Sequence, residues 1–481
     1  MDVERQTISG LKWGTTAKLF TQVTSWCVTL VVIRLLVPAD YGLMALSAVI
    51  MSVFGGIAEL GLGASLIQAR NPTRDDLARV SGALFVLNGT CMLIICASAP
   101  LFAHLFSHPR LELIVQVSSL QLALGALGAV PESLAYREMR FRWLAAIDIS
   151  AGLVTSGTTL LLAISGMGVW SLVIGNLAGL AMRTVVLLAG GTVVVPQLRL
   201  RGMGHFLRFG GAWSASRFAW QLTYQADVII AGRLLTQEAV GLYSVAVQLA
   251  NLPLQKAMSV LNQVAFPAIS RLQEELPRMR RRLLDALRLV GFGAVPALWG
   301  ISAVAPEFVA AVLGKNWHAV SLPLQTVALV APLRIVAGLF STAMCALGRA
   351  DLDLINNVIT LVLFPIVLIC GVRWGVNGLA ISYALAVAAS CVLNFPRMFR
   401  TVGISASQVL GVFRMSLLAG VGMLVAVASA RLVLGELSDA ARLAALIIVG
   451  GAAYLGILSL LDRTIWSDLR RVASALRSDE S

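Results

Sequence analysis

Two stretches 199 positions apart carry the same polar stripe inside otherwise apolar runs: Lys18 matches Arg217, Gln22 matches Gln221, and Thr15 matches Ser214. On a helix with 3.6 residues per turn, positions 15, 18 and 22 share one face, as do 214, 217 and 221. Ser25 extends the first stripe and Tyr224 the second. Each stripe therefore sets one cation among neutral hydrogen-bonding groups. Cations neutralise a phosphate, Gln and Ser bond hydroxyl groups, and aromatic faces such as Trp26, Trp220 and Tyr224 stack on rings. The chemistry is that of a cationic cleft that recognises an anionic, hydroxyl-rich molecule.

Other polar residues extend this set. Gln248, Asn251, Gln255 and Asn262 fall in one narrow sector of a single apolar run, with Lys256 at its margin. So polar a span is expected to face protein or a cavity rather than lipid. Arg334, near the middle of another run, is a further cavity candidate. Lys18 has two blander readings: its stem can snorkel to the interface, or it can pair with Glu59 at similar depth. Asp227 and Glu59 are the carboxylates suited to taking up a coupling ion, although Asp227 also lies within reach of a local pair with Arg233. Asp148 and Arg183, at similar depths in adjacent runs, are expected to form a structural ion pair.

These residues belong to a chain of 481 residues that is 58% hydrophobic and 13% charged, with a mean hydropathy of +0.85. Soluble domains are about half apolar and about a quarter charged. The balance implies an all-α polytopic membrane protein, and apolar runs of about 20 residues give about fourteen spans between residues 13 and 461. The first run carries Lys18 where a signal peptide keeps its apolar core, and no small-residue cleavage site follows it, so a retained helix is expected. Only six of the 37 Lys and Arg fall in loops on the side opposite the N-terminus: Arg110, Arg233, Lys315, Arg373, Arg431 and Arg442. The side richer in cations stays cytoplasmic, which places both termini in the cytoplasm. The same asymmetry accounts for the net charge of +13 without a nucleic-acid partner.

The chain also repeats itself. "RLLVPADYGL" at 34–43 returns as "RLLTQEAVGL" at 233–242, and "GVWSLVIGN" at 168–176 is similar to "GVNGLAISY" at 375–383. Internal repeats of this kind mark two bundles that rock against each other. The expected organisation is a lobe of six spans over 1–198, a second over 199–403 in the same direction, a terminal helix pair over 404–462, and a tail over 463–481. In that tail Trp466, Leu469, Val472, Ala473 and Leu476 lie near one helical face beside arginines, which suits either an interfacial helix or a solvated basic segment. Arg34 and Arg233, at span ends beside turns, read as orientation anchors.

Seven segments in register carry a resemblance: "RLLVPADYGLMALS", "ELGLGASLIQ", "YREMRFR", "GVWSLV", "GLYSVAVQLANLPLQ", "FPAISRLQ" and "LGKNW". They resemble the polysaccharide-transport, Wzx-type flippase branch of the multidrug/oligosaccharidyl-lipid/polysaccharide exporter superfamily. The resemblance is nearest to colanic-acid, exopolysaccharide and O-antigen repeat-unit exporters, and it runs from about residue 5 to about residue 400. It implies a fourteen-helix V-shaped fold in the bacterial inner membrane. It further implies alternating access that moves an undecaprenyl-pyrophosphate-linked oligosaccharide to the outer leaflet, among membrane lipids and beside a polymerase and a chain-length regulator. No cofactor is expected; the sequence has no G-x-x-x-x-G-K-[ST] phosphate loop.

Three rivals share parts of this pattern. A multidrug antiporter of the superfamily usually has twelve spans and needs acidic cavity residues for cationic cargo, whereas the deep candidates here are mainly basic. A lipid II flippase shares the fold and a cationic cleft. A membrane polymerase or ligase usually carries a long outer loop with catalytic groups, and no outer loop here exceeds about a dozen residues. His104, His108, His205 and His318 lack carboxylate partners at useful spacing, and His104 and His108 lack a third metal ligand. The six cysteines sit in apolar runs without metal-ligand spacing.

The charge asymmetry predicts that reporter fusions at residues 38, 105, 317 and 436 report the periplasm. Fusions at 73, 138, 275 and 478 should report the cytoplasm. One reproducible inversion before residue 403 would break the parallel repeat.

Overall fold

The structure, a computed structural model, describes residues 22, 24–59, 66, 73–191, 194–197, 221, 225–253, 275–435 and 437–461. Every regular element among them is helical, and ten helical segments are long and apolar enough to cross a membrane. A 22-residue helix such as Pro38–Glu59 is about 33 Å long at about 1.5 Å per residue, which matches a hydrocarbon core about 30 Å thick. One of the ten segments, Asp351–Val402, turns through a short 3-10 segment at Val372–Trp374 into two helices. The expected spans near 13–36, 209–232 and 240–266 are described only in part, as Thr24–Leu35, 225–234 and 237–253. The tail over 463–481 lies outside the described residues.

The chain divides into two compact units, Met1–Gly241 and Leu242–Ser481. In the first, α1 (Thr24–Leu35) is followed by α2 (Pro38–Glu59), α3 (Arg74–Leu105), α4 (Arg110–Ser118), α5 (Leu120–Arg137), α6 (Phe141–Ile164), α7 (Val169–Gly190) and α8 (225–234). Thr73 starts α3 with a capping box: its hydroxyl accepts from the Asp76 N–H at 3.2 Å, and the Asp76 carboxylate accepts from the Thr73 N–H at 3.0 Å. Lipid tails provide no hydrophobic drive between helices, so close backbone approach and small residues do the packing. Thus Gly175 and Gly179 of α7 sit directly against Thr159 and Thr155 of α6.

The duplicated hinge shows the same device twice. Gly42 of α2 lies on the carbonyl of Gln237, and Gly241 lies on the carbonyl of Pro38; a Cβ at either glycine would overlap that oxygen. Both glycines and both carbonyls are related by the 199-residue repeat, so the two helix starts cross reciprocally, backbone on backbone. The Gln237 amide closes the crossing by donating to the Ala39 carbonyl at 2.7 Å. Nearby, Arg233 donates to the Leu105 carbonyl at 2.8 Å, a cation at the C-terminal end of α3 as the helix dipole favours.

The second unit begins in α9 (237–253) and is built around α10 (Leu276–Phe308). That helix continues through a π-helical turn, Val309–Leu313, and turns at Gly314, whose φ of 91° is open to glycine. A 3-10 segment, Lys315–Val320, then buries Trp317 completely. Next come α11 (Ser321–Ala346), α12 (Ala350–Gly371), α13 (Gly375–Val402), α14 (Ala406–Val433) and α15 (Asp439–Leu461). Gly168 before α7 and Gly375 at the start of α13, both from the second repeated motif, have φ of 55° and 70°. The motif therefore marks the same backbone reversal twice.

The last two helices pack on each other and on α10. Glu307 of α10, buried, accepts two bonds from Arg431 of α14 at 2.7 and 2.9 Å. Arg431 also donates to the Ala303 carbonyl at 2.6 Å, and Arg442 of α15 stands 4.0 Å from the same carboxylate. At a deeper level the Tyr454 hydroxyl donates to the Phe292 carbonyl at 3.1 Å.

Gly241→Ala and Gly42→Ala should each lower the amount of folded protein in the membrane, by an overpacking cost of about 1–3 kcal/mol. Gly56→Ala, where a Cβ meets nothing within 4 Å, should leave it unchanged. Membrane abundance and thermal unfolding of the three purified variants check this.

Candidate functional site

The second unit brings together two of the expected binding residues. Asn251 lies on α9, and Arg334 lies mid-way along α11, two residues beyond Pro332. The Arg334 guanidinium donates to the Asn251 side-chain oxygen at 3.1 Å. It also stands 6.0 Å from the ring centroid of Tyr383 on α13, within range of a cation–π contact. Tyr383 is fixed edge-on by Tyr243 of α9 at 6.4 Å and by Phe364 of α12 at 5.8 Å. Tyr243 is fully buried and Tyr383 nearly so. Four helices thus hold one guanidinium against an amide and an aromatic face. This side-chain set suits an anionic group attached to hydroxyl-bearing rings. The sequence reading contained Asn251 and Arg334 and missed Tyr383 and Tyr243, which carry no charge to mark them in an apolar run.

In the first unit Gln22 and Gln221 are half-buried helical residues. Ser25, which extends the first stripe, accepts a long hydrogen bond from Ser156 of α6 at 3.5 Å. Asp227 is buried in α8, where its carboxylate accepts the Val228 N–H at 2.8 Å. Glu59 is the last residue of α2. Lys18, Arg217, Tyr224, Gln255 and Lys256 lie outside the described residues, as do Thr15, Ser214, Trp220 and Asn262.

The pair expected between Asp148 of α6 and Arg183 of α7 is present, and it has a third member. Arg183 also donates to Glu132 of α5 at 2.6 Å, so one guanidinium ties three helices. Beyond the apolar section, Arg140 lies 4.3 Å over the Trp143 ring and donates to the Gly190 carbonyl at 3.2 Å. His108, in the turn between α3 and α4, is held below the usual imidazole range by burial. Among the described residues no group of His, Cys, Asp and Glu is arranged to hold a metal ion.

A family model described as "Polysaccharide biosynthesis protein" matches residues 31–322. The lipopolysaccharide biosynthesis protein WzxC of Escherichia coli (strain K12) is 25% identical over 84% of this chain and 82% of its own length. The teichuronic acid biosynthesis protein TuaB of Bacillus subtilis (strain 168) is 25% identical over 82% of this chain and 81% of its own length. In fold the chain is similar to a solved structure of the lipid II flippase MurJ in an inward closed conformation. The TM-score is 0.75 at 16% identity, covering 94% of this chain and 99% of that one.

A hydrogen bond to a charged group contributes about 1.5–3 kcal/mol. Arg334→Ala and Asn251→Ala should therefore be non-additive: the double variant should unfold thermally no earlier than the worse single variant. Additive losses would show that the two side chains act independently.

Proposed function

Because this chain belongs to the polysaccharide biosynthesis protein family, we propose that it is a flippase that carries lipid-linked oligosaccharide repeat units across a membrane for polysaccharide assembly. It moves its cargo without making or breaking a covalent bond and is not an enzyme. The observation that carries this reading is the family match over residues 31–322, made on a chain whose apolar helices take a flippase fold.

The finer reading is that the carrier is undecaprenyl pyrophosphate, that the membrane is the bacterial inner membrane, and that both termini face the cytoplasm. A polymerase and a chain-length regulator of the same pathway would take the cargo onward. Arg217 and Lys18 neutralise the pyrophosphate or an acidic sugar, with Lys256 and Arg334 as further cations. Gln22, Gln221, Asn251 and Gln255 bond sugar hydroxyls, and Tyr224 stacks on a sugar ring. Asp227 or Glu59 takes up the ion that drives return of the empty carrier. A charge deep in a membrane costs about 3 kcal/mol even on insertion scales. Support for these assignments comes from the placement of several cations in apolar runs.

Deleting the gene should stop polymer export and leave lipid-linked repeat units on the cytoplasmic leaflet; accumulation on the outer leaflet would indicate a polymerase or ligase instead. Arg217→Ala should abolish export at normal protein abundance, and Arg217→Lys should keep part of it, since charge survives without the bidentate fork. Lys18→Ala should weaken export, and Glu at either position should be worse than Ala. Arg233→Ala, which removes a bond to a helix-end carbonyl, should be tolerated. Normal export by Arg217→Ala would make Arg217 a structural residue.

A further inference from the structure

The first unit holds a cavity of about 340 Å³ between α2, the α4–α5 junction and α7. Its size falls at the lower end of the range for small-molecule sites, about 300–1,000 Å³. Its lining mixes apolar side chains, Met44, Met51, Leu122 and Val173, with the polar Ser47, Ser52, Ser118, Gln121 and Asn176, and none of the lining residues is charged.

Three details describe the polar part of the lining. The Ser47 hydroxyl is 1% exposed and has no hydrogen-bond partner among the described residues. Leaving such a group unsatisfied costs about 1–3 kcal/mol, and Ser47 is among the residues that line the cavity. Ser118 and Gln121 flank Ser119 in the helical run Arg110–Arg137 and line the cavity. Ser52 is already held, donating to the Val49 carbonyl at 2.8 Å and accepting from Gln225 at 3.3 Å, so its position is fixed before any ligand arrives.

We propose that this cavity is a subsite for one uncharged sugar residue of the cargo, separate from the cations assigned to the pyrophosphate. The proposal rests on the flippase reading above. A phosphate would find no cation on these walls, and a lipid chain would offer no hydrogen bond to their serine, glutamine and asparagine side chains. A sugar ring presents C–H faces to the methionines and hydroxyls to the serines and amides. Its size admits one residue rather than a whole repeat unit.

The test uses the full-length protein in lipid nanodiscs and two probes: the lipid-linked repeat unit extracted from a strain lacking this gene, and undecaprenyl pyrophosphate without sugar. Asn176→Leu, Gln121→Leu and Ser47→Ala should each weaken binding of the sugar-bearing lipid about tenfold while leaving the bare lipid unchanged. Asn176 is exposed, and Ser47→Ala removes one oxygen, so both variants should keep the melting temperature of the unaltered protein. Variants that fold and bind both lipids like the unaltered protein would overturn the subsite. An equal loss for both lipids would overturn it too, since the cavity would then serve the carrier. Unaltered protein that binds neither lipid would refute the flippase reading itself, and the subsite with it.

Discussion

Charge inside a hydrocarbon layer must be compensated by protein, and much of the helix arrangement follows from where that compensation is made. Arg183 is held by Glu132 and Asp148, which ties α5, α6 and α7 together through one guanidinium. Glu307 is held by Arg431, with Arg442 beside it, which ties α14 and α15 to α10. These clusters tie the helices that carry them to one another. Arg334 is placed differently. Its bond to Asn251 and its position over Tyr383 engage uncharged groups, which orient the guanidinium.

Backbone packing is the second constraint. Where helices cross at Gly42 and Gly241, or at Gly175 and Gly179, the contact is made by glycine against a carbonyl or a threonine. The reciprocal crossing explains why a charged hinge is written twice in the sequence. Duplication supplied two related helix starts, and each supplies the small residue that the other start needs. The arginine of the second copy caps α3, and the hinge itself carries geometry rather than binding chemistry.

Much of this was legible in the sequence, for physical reasons that differ by residue. Membrane-spanning helices follow from hydrophobic runs because a bilayer leaves the backbone few alternatives. Asp148 and Arg183 could be paired because two opposite charges at one depth in neighbouring spans have few other ways to be satisfied. Glu132 escaped because it lies just past the end of its apolar run, where a carboxylate ordinarily reads as interfacial. Glu307 with Arg431 escaped for the same reason, 124 positions apart at two span ends. Asn251 and Arg334 were recognisable as residue types, but their contact depends on how α9 meets α11. Tyr383 and the Ser47 cavity carry no charge pattern and emerge only when helices are packed. The stripes that include Lys18 and Arg217 rest on periodicity and duplication alone.

The account joins these parts into one activity: helices held by paired charge and glycine crossings carry cations and hydrogen-bonding groups suited to a phosphate-linked sugar. The most direct measurement is made with purified protein in sealed vesicles containing a fluorescent lipid-linked oligosaccharide, with a membrane-impermeant quencher reporting which leaflet holds it. The account predicts that vesicles with the protein lose their protected fluorescence rapidly, that empty vesicles do not, and that the oligosaccharide is recovered with its length unchanged. Protected fluorescence that persists in the presence of folded protein would contradict it, as would recovery of a lengthened or cleaved oligosaccharide.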